Sequence, residues 1–151
     1  MESTPATTAD AELVLRLYDL RREAEMRKAR NWFVEEFWPA NFAEIEQLWS
    51  EFGSPRNRWF RQIVSYWEMA ASLVVRGSLN QALFFDTCGE AWFVYAKLKP
   101  FVAENRSKYF PDYVTHLETV VEGSAEGRER LANVENMIGN LRGMMAAAQN
   151  Q

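Results

Sequence analysis

Apolar positions recur along the chain at three- and four-residue steps and show no sustained alternation, so the pattern predicts helices throughout and no strands. The densest stretch runs from Arg61 to Gly77, where Glu68 is the only charge between Arg61 and Arg76. Phe60, Ile63, Val64, Trp67, Ala70, Ala71 and Val74 form one broad helical face, and Tyr66, Met69 and Leu73 make the other side apolar too. A helix apolar nearly all round is expected to lie buried at the centre of its domain.

The remaining elements are read around that centre. A long first helix is expected from near Asp10 to Trp38, about 40 Å at 1.5 Å per residue, stopped by Pro39. Its main stripe is Leu13, Leu17, Leu20 and Ala24; Met26, Trp32, Phe33 and Phe37 form a neighbouring one. Asn41 with Glu44 has capping-box spacing and opens a short helix holding Phe42, Ile45, Leu48, Trp49 and Phe52, ended by Gly53. Ser54 before Pro55 starts the central helix. Ser78 is expected to cap a segment from Leu79 to Thr87. Another helix runs from Glu90 to about Lys108, with a kink or break near Lys99 imposed by Pro100. Pro111 is expected to open a helix ending at Gly123. Ser124 caps the last one, whose Leu131, Val134, Ile138, Leu141 and Met145 form a narrow seam, and Ala146–Gln151 is expected to fray. The expected fold is all-α, a single-domain bundle of six or seven helices over residues 10–148, preceded by a disordered arm at 1–9.

Composition narrows the class. The 151 residues suit one core, and 48% apolar with 25% charged is ordinary for a globular domain. Six Trp and ten Phe let few side chains fill a large volume. The start lacks a secretory pattern, and no apolar run reaches membrane-spanning length, so no membrane association is expected and the protein reads as cytoplasmic. With Cys88 as the only cysteine, no intrachain disulfide can form, which suits a reducing compartment. A net charge of −4 argues against nucleic acid as a partner.

The run Leu17–Glu23, with Arg27, Arg30 and Trp32 after it, is similar to the first helix of a small bacterial all-helical family catalogued as a domain of unknown function. Tyr66, Trp67 and Glu68, the helix end at Val74–Gly77, and Leu83–Asp86 before Gly89 resemble that family too. The resemblance covers roughly residues 13–108. It implies a helical fold and a bacterial source, and it supplies no catalytic residues.

Four constellations offer chemistry. Arg16, Arg21, Arg22, Arg27, Lys28 and Arg30, with Arg56, Arg58 and Arg61, form either an anion patch or solvated helix faces laced by four-apart pairs. Glu68 within an apolar helix needs a partner. Arg27, which interrupts the first helix's stripe, is the expected one, and Arg106 is a second. Glu68, Asp86 and Glu90 make either a carboxylate site for metal or acid–base work, or, with Arg27 and Arg106, a structural ion-pair network; the network is the preferred reading. His116, the only histidine, falls short of a two-histidine di-metal motif and reads as a partly exposed structural residue. Cys88 has no base adjacent in sequence, and the chain has no Gly-rich phosphate loop.

No catalytic, cofactor or metal residues are therefore assigned. The expected function is a non-enzymatic helical module that self-associates, as a homodimer, or binds a protein partner. The alternative is a small-molecule or metal-binding protein with a polar pocket around Glu68. A solvent-open polar cavity beside Glu68 favours the alternative; a filled, dry network favours the module.

Overall fold

A computed structural model of the chain describes residues 4–151; the expectation of disorder at Met1–Ser3 lies outside these residues. Over the described residues the protein is all-helical, with eight helices: α1 Thr8–Arg21, α2 Ala24–Glu35, α3 Phe42–Ser50, α4 Pro55–Val75, α5 Gln81–Thr87, α6 Glu90–Lys108, α7 Thr115–Glu122 and α8 Ala125–Gln149. None of them is long and apolar enough to cross a membrane. Helix α4 packs between α2 and α7, α6 packs on α7 and α8, and α1 lies against α5.

The long first helix is two helices, which is why the count exceeds six or seven. Buried positions step Leu17, Arg21, Met26, Ala29, Trp32 and Phe33. The five-residue step from Arg21 to Met26 cannot be kept on one face of a continuous helix. The backbone breaks there, and Glu23 becomes the N-cap of α2 by accepting the Met26 N–H at 3.0 Å. Of the expected main stripe only Leu17 is buried and Leu13 partly so, with Leu20 and Ala24 exposed, whereas Met26, Trp32, Phe33 and Phe37 of the neighbouring stripe are all buried.

Other starts are governed by capping chemistry. Thr7 and Asp10 form a capping box on α1, and the Thr4 carbonyl accepts from Asn80 Nδ2. Asn41 and Ser54 cap α3 and α4 as expected, and Ser124 caps α8. Asn80, rather than Ser78, caps α5. Helix α6 passes through Pro100 without a break, and α8 remains helical to Gln149. Helix α7 begins at Thr115, four residues after Pro111, because the chain first turns through Val114 at φ 48°.

The core is aromatic: Phe33, Phe60, Trp67, Phe84, Trp92 and Tyr95 are fully enclosed. Helix α4 buries most of its length, from Asn57 to Val74. It is not apolar-covered all round, however: Arg61, Ser65 and Met69 face outward. The seam of α8 is used within the chain, with Leu131 and Ile138 buried on the side that meets α6 and α7.

Candidate functional site

Glu68 projects from α4 toward the start of α7, three quarters buried. The N-cap of α7 is Val114, whose side chain offers no oxygen to the first turn's free N–H groups. Glu68 takes that role from across the bundle. Its Oε1 accepts the His116 backbone N–H at 3.0 Å, and its Oε2 accepts that of Leu117 at 2.9 Å. His116 Nδ1 lies 2.8 Å from Oε1. A carboxylate at a helix N-terminus meets both the unpaired donors and the positive end of the dipole. Val114, a buried β-branched residue in the left-handed region, carries strain of about 1–3 kcal/mol that this cap helps to hold.

Beside this cap lies an open cleft of about 790 Å³, lined along α4 by Arg61, Val64, Ser65, Glu68, Met69 and Ser72. Trp49 of α3 and the turn carrying Phe110, Tyr113 and Val114 close its other side, with Asp112 and His116. The Trp49 ring sits 5.6 Å from Phe110 and 6.5 Å from Tyr113. Two buried polar atoms of residues in this wall, Trp49 Nε1 and Tyr113 Oη, have no hydrogen-bond partner among the described residues. Burial, and then the negative charge of Glu68, push the Tyr113 phenol well above its usual range, so it stays protonated.

The five residues expected to form one network do not meet. Arg27 is exposed on α2, so it is not the partner of Glu68; the break at Glu23 resets the helix phase and turns it to solvent. Asp86 is exposed on α5. Glu90 pairs with Arg30 at 2.8 Å and accepts from Trp67 Nε1 at 3.2 Å. Arg106 holds the Tyr113 carbonyl at 2.9 Å and Glu118 at 3.2 Å. The arginine patch is likewise dispersed. Arg21 is buried against Tyr66 and Trp67, Arg30 is bound to Glu90, and Arg56 is bound to Glu51. Among the described residues no cluster of three or more His, Cys, Asp or Glu side chains is arranged to hold a metal ion.

Four residues of importance escaped the sequence reading: His116 as partner of Glu68, Trp49, Tyr113 and Lys97. A helix start without a Ser, Thr, Asp or Asn cap would have called for an outside carboxylate, but Pro111 drew the expected start away from Val114. Lys97 is 2% exposed. Its ammonium donates to the carbonyls of Phe33 at 2.6 Å and Phe37 at 2.7 Å, 3.5 Å from the Trp38 ring centre. Burial, reinforced by the charge of Arg142, pulls its pKa down to about 7.

No curated protein and no solved structure matches the chain. Residues 6–124, which include the cleft, the Glu68 cap and Lys97 and stop at the cap of α8, match the family described as a domain of unknown function, DUF4760, and the chain belongs to that family.

Proposed function

We propose that this chain is a binding domain that holds a small molecule in the cleft beside Glu68. The observation that carries this reading is the pair of buried donors, Trp49 Nε1 and Tyr113 Oη, left without acceptors in the wall of a solvent-open cleft. A buried unpaired donor costs about 1–3 kcal/mol, a cost that a bound acceptor removes. The setting suits a ligand: apolar side chains line most of the space, and a few polar groups converge on it.

Amide-resolved NMR with a set of small aromatic fragments tests the proposal. Hits should shift residues 61–72 and 110–116 together and be lost in Ser65→Trp. Ser65 lines the cleft, is exposed and, among the described residues, bonds through its hydroxyl only the Gln62 carbonyl of its own helix, so a bulky side chain there crowds the cleft without touching the core. Shifts scattered over the surface, or hits that survive the plug, would overturn the reading.

Phe52, 85% exposed beneath Arg61 at the cleft's edge, supports a second reading, self-association through this rim. The α8 seam is already engaged within the chain, so the rim is the surface to test. Light scattering should give a dimer mass that reverts to monomer in Phe52→Ser. A monomer at every concentration sets this second reading aside.

A further inference from the structure

Resting on the small-molecule reading, we infer that the cleft selects an uncharged aromatic molecule bearing a carboxamide-like group, with an acceptor and an N–H donor side by side. The indole Nε1–H of Trp49 can only donate, and the Tyr113 hydroxyl keeps its proton. The wall therefore asks for an acceptor. An ammonium has no lone pair to offer, so it leaves the Trp49 indole N–H unpaired. An anion has lone pairs but enters beside the two carboxylates of Glu68 and Asp112, while the cation of the lining, Arg61, is engaged with Asn57 Oδ1 and lies over the Phe52 ring. A neutral carbonyl meets the requirement without either penalty.

The complementary acceptor comes from His116. An ionised carboxylate can only accept, so the contact at 2.8 Å with Glu68 Oε1 is served by a proton on His116 Nδ1, which donates it. In the neutral ring this leaves Nε2 as an acceptor in the cleft lining, free to take the N–H of an amide. The aromatic part follows from the wall itself, where the half-exposed Phe110 ring packs 5.6 Å from Trp49, beside Tyr113, in a place that a ligand ring can take over. The two donors lie beneath the surface, so the ligand must take the place of a covering ring. Phe110, 46% exposed, is the most solvent-exposed ring of that cluster.

Four probes share one ring: 1-naphthamide, its N,N-dimethyl derivative, 1-naphthoate and 1-naphthylmethylammonium. Titrations follow the Trp49 indole N–H resonance, assigned with Trp49→Phe. The primary amide should bind about tenfold more tightly than either ion and move that resonance. The dimethyl amide, which keeps the acceptor and loses the donor, should bind about tenfold more weakly than the parent. Tyr113→Phe, which removes a hydroxyl with no partner among the described residues, should weaken the parent amide by about tenfold, the scale of one hydrogen bond. Equal binding of amide and ions, an unmoved Trp49 resonance or indifference to Tyr113→Phe overturns this ligand class. A dimethyl amide as tight as the parent overturns the role of His116. If those failures occur while Ser65→Trp still abolishes naphthalene binding, the cleft reading stands without this chemistry; binding that survives Ser65→Trp sinks both.

Discussion

Glu68 and Lys97 solve the same problem at two helix ends of the bundle. Each is a charged group on a long helix that caps the end of a different helix, and each has the sign that end requires. Glu68 serves the N-terminus of α7, and Lys97 serves the last turn of α2 and the chain just after it, through the carbonyls of Phe33, Val34 and Phe37. Their surroundings differ. Lys97 is sealed among Phe33, Phe37, Trp38 and Phe93, with an acceptor within reach of each of its three protons. Glu68 borders an open cleft, and beneath its wall two buried donors lack partners among the described residues. The closed cap belongs to the fold alone, whereas the open one leaves polar valence for something else to complete.

The largest effect should come from breaking the closed cap. Lys97→Ala leaves carbonyls at the end of α2 unpaired and opens a cavity, at a cost of about 4 kcal/mol by denaturant unfolding. A loss below about 1 kcal/mol would mean that those carbonyls find other donors. The same lysine makes stability depend on pH. Unfolded, it holds its proton to about 10.5; folded, it releases it near 7. Between those values the unfolded chain binds more protons, so this contribution to stability is smallest below pH 7 and grows as pH rises toward 10. Lys97→Met should lack that rise, and parallel pH profiles for the two proteins would refute the assignment.

The open cap should matter somewhat less, because part of it faces water. Glu68→Ala removes the acceptor for two backbone N–H groups and His116, and should cost about 3 kcal/mol. Glu68→Gln retains one acceptor oxygen and should cost about half of that. Hydrogen exchange should show the loss first at His116 and Leu117. Uniform loss across α4 would instead place Glu68 among the general core contacts.

Tyr113→Phe should run the other way. It removes an unpaired buried hydroxyl, so stability should stay level or rise by about 1 kcal/mol, measured by thermal or denaturant unfolding. A clear loss would show that the hydroxyl has a partner and that the cleft is less open than its geometry indicates. Arg27→Ala should change stability by no more than about 0.5 kcal/mol, as expected for an exposed residue away from any network. A larger loss would restore the Arg27–Glu68 pairing.

Much of the fold was legible because local rules decide it. Asn41, Ser54 and Ser124 mark helix starts through their own oxygens, and the spacing of Phe60, Ile63, Trp67 and Val74 marks the face that α4 buries. The candidate site was legible only in half. Glu68 stood out as a lone charge in an apolar run, and its burial followed. Its partner did not follow, because a continuous helix through Arg22 and Glu23 put Arg27 on the wrong side.

The sequence by itself determined the helical class, most helix boundaries and the need of Glu68 for donors, since periodicity, capping and the cost of burying a charge act over a few residues. Only the tertiary structure decided which groups answer that need. Glu68 and His116 stand 48 positions apart, and Lys97 is 60 to 64 from the carbonyls it caps. No local pattern encodes such pairings. They depend on the angle at which α4 crosses α7 and α6 meets the end of α2, which is set by the packing of the whole aromatic core.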